Sequence, residues 1–292
     1  MKVHSILYLL LFLTSCTVGQ DENAISETND PMAYFGQKEP STTPELFAAN
    51  IISKPDRHEF GCTFSKTGKE FYYGVDNDGK SEIYYSNLID GTWTPSKKLF
   101  ESDSIGYNDP MLSPDDKRLY FISDRPIDNT HEKNDIDIWY VERANIKTEW
   151  SEPINLGVPI NTERNEYYSS FTDDGTIYFS SRDQSEDAPR YAFDIYRSEF
   201  KNGQFLSPEK LPETINTNRY ETDVFIAPDE SYMIFCSIRR NGLGQGDLYI
   251  SFRDKLGIWS EVTNMGELIN TDKHELCPFC LLYTSPSPRD RG

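Results

Sequence analysis

One unit of sequence recurs along this chain, and a recurring unit restricts the available folds more than composition does. Its clearest copy runs Ser113-Pro114-Asp115-Asp116-Lys117-Arg118-Leu119-Tyr120-Phe121-Ile122-Ser123-Asp124-Arg125 and resumes at Asp137-Ile138-Trp139-Tyr140. A turn of Ser, Pro and Asp feeds an alternating strand, a polar loop follows, and a second strand opens with an acid, Ile and an aromatic residue. The turn reappears as Ser65-Lys66-Thr67-Gly68, Thr172-Asp173-Asp174-Gly175 and Ala227-Pro228-Asp229-Glu230, at spacings of 48, 59 and 55 residues. The acid-led strand reappears as Glu82-Ile83-Tyr84, Asp194-Ile195-Tyr196 and Asp247-Leu248-Tyr249. An aromatic residue follows in each unit, at Trp93, Trp150, Phe205 and Trp259. Three units then close on one tripeptide: Ile160-Asn161-Thr162, Ile215-Asn216-Thr217 and Ile269-Asn270-Thr271.

A period this long, with several strand-sized runs per unit, is the pattern of a propeller blade rather than of a helical repeat. A lone four-stranded sheet leaves both faces uncovered, so such units must pack face to face around an axis. The expected fold class is all-β: a β-propeller of four-stranded blades, four of them complete, with a fragment of a fifth at Glu275.

The unit Ser-Pro-Asp-Asp-x-x-x-Leu-Tyr-Phe-x-Ser-x-Arg, with Asp-Ile-Trp after it, resembles the TolB-type β-propeller with Pro-Asp repeats, over roughly residues 44–279. The resemblance implies a ring of six blades, of which this chain would carry a truncated part. It implies little about activity, since relatives include periplasmic partner-binding proteins, propeller domains attached to peptidases and a few enzymes acting on pectin fragments. The repeats fill nearly all of the sequence, so no appended hydrolase domain is expected within it.

Before the repeats, residues 1–15 read as a signal peptide: Lys2, an apolar run from Ile6 to Leu13, then small residues. Leu13-Thr14-Ser15-Cys16 resembles the bacterial lipobox, which implies a lipid on Cys16 and attachment to the membrane through that lipid. Residues 16–43 are polar and are expected to form a flexible tether. The propeller is expected over residues 44–280, with Leu46 to Ile52 as the outer strand of a blade whose other strands lie at the C-terminus. After Glu275 the repeat predicts another turn at position 281, yet the chain reads Leu281-Leu282-Tyr283-Thr284-Ser285-Pro286-Ser287-Pro288. Residues 281–292 resemble translated sequencing-adapter read-through and are expected to be foreign to the natural protein.

A formal net charge of -19 argues against nucleic acid as a partner and against binding anionic lipid by charge. The expected location is the bacterial cell envelope, as an outer-membrane lipoprotein. Besides Cys16, Cys62 and Cys236 fall in predicted strands and read as buried free thiols. Cys277-Pro278-Phe279-Cys280 imitates a redox pair without the surrounding fold that such a pair needs. Of the four histidines, His4 lies in the signal and His131 in a loop, while His58 and His274 take matching places beside Glu59 and Glu275. No nucleophile elbow or zinc-spaced histidine pair appears, so no catalytic residue, metal site or cofactor is assigned. Asp76-Asn77-Asp78-Gly79 resembles a calcium loop but is what a tight hairpin requires. The acidic loop of Asp128, Asn129, Asn134, Asp135 and Asp137 reads as solvated.

Two sets of polar residues repeat. Arg125, Arg182 and Arg239 each follow the Tyr-Phe or Ile-Phe strand, and Glu59, Glu166 and Glu221 each precede the first strand. Each set should ring one end of the axis, either fastening blades by pairing the arginines with Asp137, Asp194 and Asp247, or facing a ligand. Two functions follow. The first is a non-catalytic envelope propeller binding a protein or glycan through its axial face and loops. The second is a carbohydrate-active enzyme like the pectin-fragment lyases, with a metal at the axial mouth.

Overall fold

The computed structural model describes residues 32–37, 44–127, 135–182 and 192–280. Cys16, His4, His131, Asp128, Asn129, Asn134 and residues 281–292 lie outside them.

Four antiparallel sheets follow one another in sequence order and pack as the blades of a β-propeller. Blade 1 comprises His58–Phe64, Glu70–Asn77, Lys80–Ile89 and Lys97–Lys98. Blade 2 comprises Tyr107–Leu112, Arg118–Ser123, Asp137–Glu142 and Ile154–Asn155. Blade 3 comprises Asn165–Phe171, Ile177–Arg182, Phe193–Ser198 and Glu209–Lys210, and blade 4 Glu221–Ile226, Tyr232–Ser237, Asp247–Phe252 and Thr263–Asn264. The described residues hold four blades and the opening of a fifth repeat, and nothing in them fixes a total of six.

The period-2 alternation explains the packing. In the second and third strands of blade 2, Leu119, Phe121, Trp139 and Val141 face Tyr72 and Ile83 of blade 1. The intervening Tyr120, Ile122 and Ile138 face Phe171, Ile177 and Phe179 of blade 3. Each strand is thus buried on both sides, which is why the runs are nearly continuous in apolar residues.

The recurring turn is closed by its own side chains. Ser113 Oγ accepts from Arg118 N at 2.9 Å and donates to Asp115 at 2.7 Å. The fourth turn residue is left-handed in every blade, at Gly68, Asp116, Gly175 and Glu230. Where it is not glycine, the strain is used: Asp116 accepts from Lys66 N of blade 1 at 3.1 Å, and Glu230 accepts from Tyr178 of blade 3 at 2.7 Å.

The closing tripeptide has an equally specific job. Asn216 accepts from Ile195 N at 2.8 Å and donates to Ile195 O at 2.9 Å and Leu211 O at 3.0 Å, so its amide serves as one more strand residue beside the third strand. Asn161 does this for Ile138, and Asn270 for Leu248.

Pro44 to Ser53 forms turns and an isolated Ala49–Ser53 bridge, where an outer strand was expected. Ile51 N and Ile52 N donate to Ala48 O, just as Ile160 N and Asn161 N donate to Gly157 O. The segment therefore copies the turn that closes a blade, and Phe47 and Ile52 bury themselves on blade 1 beside Phe64 and Phe71. Within the segment expected as a tether, Phe35 stacks on Trp93 at 3.9 Å and Trp93 Nε1 donates to Met32 O at 2.7 Å. These are the apolar residues of an otherwise polar stretch, and they cover the face of blade 1 turned away from blade 2. Asp76 to Gly79 is the expected hairpin, with positive φ at Asp78 and Gly79 and Gly79 N donating to Asp76 at 2.7 Å.

Candidate functional site

The axis itself is packed. One residue of each first strand, four positions before the turn, takes a positive φ at a bulge: Gly61, Asp109, Tyr168 and Asp223. Cys277 does the same in the fifth repeat and lies among them, with its thiol 3.8 Å from Asp109 and Tyr168 donating to Pro278 O at 2.9 Å. Burial pushes the Asp109 carboxyl well above its ordinary range, with the Asp223 charge adding to it. Burial likewise pushes Asp223 up to about 7. At the turn end of the axis, Thr63, Met111, Ser170, Phe225 and Phe279 enclose only about 30 Å³, room for roughly one water. The four described cysteines are free and buried, and burial raises the Cys62 thiol to about 12.

The opposite end, where the first strands begin, carries the repeated Glu and Arg residues. Each buried glutamate is held by the residue that closes the preceding blade. Thr162 donates to Glu166 through its hydroxyl at 2.7 Å and its N–H at 3.2 Å, and Ser181 adds a bond at 3.2 Å. Glu221 receives Thr217 and Ser237 in the same way, both hydroxyls at 2.8 Å. Glu59 receives Lys54 N at 3.3 Å and Arg57 Nε at 2.5 Å. In blade 2, Tyr107 replaces the glutamate, and Ser123 donates to Gly106 O instead at 2.7 Å.

The arginines do not take Asp137, Asp194 and Asp247 as partners. Those aspartates accept from Asn155, Lys210 and Asn264, at 2.5, 2.7 and 2.7 Å. Arg239 instead lies over Phe235 and Tyr249, donates to Ile215 O at 2.7 Å and comes within 3.7 Å of Glu221. Arg125 lies over Trp139 and reaches Tyr107 Oη at 3.4 Å. Arg182 lies over Phe193, with its Nε buried and without a partner.

A further repeated set escaped the sequence reading: a basic residue two places before each glutamate, at Arg57, Arg164, Arg219 and Lys273. The signal was present in the same alignment that exposed the glutamates. Arg57 lies over Tyr73 and Tyr84 and donates to Ile52 O and Tyr73 Oη, each at 3.0 Å.

Between blades 2 and 3 this end opens into a groove of about 740 Å³, lined by Ile160, Glu163, Arg164, Glu166, Phe179 and Tyr196 among others. Burial pushes the Glu166 carboxyl up to about 7, against the hydroxyl and N–H bonds that favour its charged form. Its Oε1 accepts from the Thr162 and Ser181 hydroxyls and its Oε2 from the Thr162 N–H, which leaves Oε2 room for one more donor. No group of three or more His, Cys, Asp or Glu side chains among the described residues is placed to hold a metal ion.

The sheets and the groove at their junction define a β-propeller with a closed axis and a binding-sized opening on one rim. Among solved structures, the chain is similar to TolB from Acinetobacter baumannii, at 17% identity and a TM-score of 0.49, over 76% of this chain and 47% of that one. It is also similar to a puromycin-hydrolyzing peptidase from Mycobacterium tuberculosis, at 14% identity and a TM-score of 0.45, over 77% of this chain and 30% of that one. An oligogalacturonate lyase in complex with manganese is similar at 16% identity and a TM-score of 0.43, over 74% of this chain and 69% of that one. The chain spans less than half the length of the first two. No protein-family model and no curated protein sequence matches it.

Proposed function

We propose that the chain is a non-catalytic binding propeller of the bacterial cell envelope, anchored by a lipid on Cys16, which takes a protein or envelope ligand on the end where its first strands begin. The observation that carries this reading is the size of the first-strand-end groove, set against a filled axis and a smaller groove of about 460 Å³ at the turn end of blades 2 and 3, lined by Arg118, Tyr120, Glu142 and Phe205 among others. The axis is filled by the fifth-repeat residues and keeps about 30 Å³ at its turn end, whereas the groove between blades 2 and 3 offers about 740 Å³ lined by aromatic, arginine and carboxyl side chains. A pocket of that size and chemistry is the usual form of a recognition site.

Two measurements test the reading. In a bacterial host, a clickable palmitate analogue should label the full chain, and Cys16→Ala should abolish the label and release the protein from membranes. A photoreactive residue at position 163 should crosslink to an envelope component, while one at position 66, at the turn end, should not. Crosslinking only from position 66, or depolymerisation of an oligosaccharide by the purified chain, overturns it.

A further inference from the structure

The blades build related small sites at their first-strand end, with Tyr107 in place of the glutamate in blade 2, and in blades 1, 2 and 4 an arginine lies against the aromatic pair. In each blade a second-strand aromatic residue stands directly opposite a third-strand one: Tyr73 and Tyr84, Phe121 and Trp139, Phe179 and Tyr196, Phe235 and Tyr249. In blade 1 the Arg57 guanidinium lies 5.6 Å from both ring centroids, against the Ile52 carbonyl and Glu59. In blade 4 the Arg239 guanidinium lies 5.6 and 5.2 Å from both centroids, against the Ile215 carbonyl and within 3.7 Å of Glu221. In blade 2 the Arg125 guanidinium lies 5.8 Å from Trp139.

Blade 3 has the ring pair, the carbonyl and the carboxyl of this site, and the one described guanidinium that lines it, that of Arg164, is held at the Tyr196 hydroxyl and lies over neither ring centroid. Phe179 and Tyr196 stack with centroids 5.8 Å apart and planes at 24°, the Ile160 carbonyl stands where that of Ile215 stands in blade 4, and Glu166 stands where Glu59 and Glu221 stand. Two local facts empty it. Blades 2 and 4 place one residue between the strand serine and the arginine, Ser123-Asp124-Arg125 and Ser237-Ile238-Arg239, but blade 3 reads Ser181-Arg182. Successive strand residues point to opposite faces, so the missing spacer sends Arg182 to the other side, over Phe193. Arg164, at the position of Arg57, turns to the Tyr196 hydroxyl at 3.0 Å, in place of the carbonyl and carboxylate bonds that Arg57 makes. The resulting space is the 740 Å³ groove.

We propose that this groove is a receptor for a guanidinium group, namely an arginine side chain presented by a protein partner. Blades 1 and 4 show what the site is shaped for: a flat cation lying across an adjoining pair of aromatic rings, against a carbonyl and a carboxyl. The exposed Glu163 at the rim and the chain's net charge of -19 favour a cationic partner over an anionic one. The proposal rests on the binding-propeller reading and specifies its ligand.

The test titrates the full chain in detergent with acetyl-arginine-methylamide, its uncharged isostere acetyl-citrulline-methylamide and acetyl-lysine-methylamide, read by NMR shifts of the Tyr196 and Phe179 rings. The arginine compound should saturate, with citrulline at least about tenfold weaker and lysine between them, since one ammonium cannot use the flat site. Tyr196→Leu should weaken arginine binding by about tenfold. Inserting an aspartate between Ser181 and Arg182 should return the arginine to the groove and abolish binding, with the unfolding midpoint retained as proof of folding. Equal binding of citrulline, or arginine binding that survives both changes, overturns the proposal. If position 163 still crosslinks to an envelope component in that case, the binding-propeller reading stands and only its ligand class is wrong.

Discussion

Arg143 and Glu70 lie 73 residues apart and meet in a two-pronged ion pair, with Nη1 to Oε1 at 2.7 Å and Nη2 to Oε2 at 2.6 Å. The same guanidinium donates to Asp116 O at 2.9 Å and lies 4.2 Å from the Trp150 ring, whose N–H donates to Tyr72 at 3.2 Å. Blades 1 and 2 are therefore bolted at the turn end by a charge that is almost wholly buried. Arg253, Glu230 and Arg197 form the counterpart between blades 4 and 3.

Removing one partner of such a pair leaves the other charged and dry. Arg143→Ala is expected to destabilise the protein by about 3–5 kcal/mol in urea unfolding, and Glu70→Gln by less, because Glu70 is the more exposed partner. Arg143→Met with Glu70→Met should recover most of the loss. A double change as damaging as the sum of the singles would show that the two residues do not act together.

The blades were legible because turn, acid-led strand, aromatic and Ile-Asn-Thr recur in fixed order, and each marker has a local cause that repeats with it. Asn216 needs only its own blade's third strand, and Thr217 only the glutamate four residues on. The brace was not legible, since nothing local links Glu70 to Arg143. Nor were the axial residues, because Gly61, Asp109, Tyr168, Asp223 and Cys277 share a backbone conformation and no chemistry. The repeated Glu and Arg residues were legible as repeats, but the pairing of Arg125, Arg182 and Arg239 with Asp137, Asp194 and Asp247 did not form: each arginine lies over an aromatic ring, and Arg239 also donates to a carbonyl.

Buried carboxyls make stability depend on pH in a defined direction. Asp223 and Glu166 are pushed up to about 7 and Asp116 to about 6, each chiefly by burial. A carboxyl whose folded pKa is raised binds its proton more tightly when folded. Its contribution is full below the unfolded value, near 4, and is lost as pH rises through 6 to 7. Melting temperature should therefore fall between pH 4.5 and pH 7.5. Asp223→Asn keeps the acceptor and tolerates the left-handed backbone, and should stabilise by on the order of 3 kcal/mol at pH 7.5 and by almost nothing at pH 4. A pH-independent gain would remove the charge from the explanation.

Asn216 stands in for a strand residue, so its loss orphans backbone groups that cannot reach water. Asn216→Ala should cost about 2–4 kcal/mol, from the N–H and C=O of Ile195 left buried and unpaired. Asn216→Asp should be at least as damaging, since a carboxylate placed against Ile195 O and Leu211 O has no hydrogen to give. Hydrogen exchange at Ile195 N, slow in the parent chain, should accelerate in both.

The fifth repeat is docked by glycines. A Cβ at Gly244 would clash with backbone, 2.3 Å from Lys273 O and 2.4 Å from Thr271 O, and neither oxygen can step aside without moving the segment. Gln245 N donates to Lys273 O at 2.7 Å and Glu275 N to Gly246 O at 2.9 Å, so the contact is a backbone seam that positions everything from His274 to Cys280. Gly244→Ala should open that seam and expose the axis. The readout is thiol alkylation followed by mass spectrometry: Cys277 and Cys280 should react at least about tenfold faster than in the parent chain, while Cys62, held in the first strand of blade 1, should not change. Equal acceleration at all three would mean that the whole ring loosens and that the fifth repeat is not a separable plug.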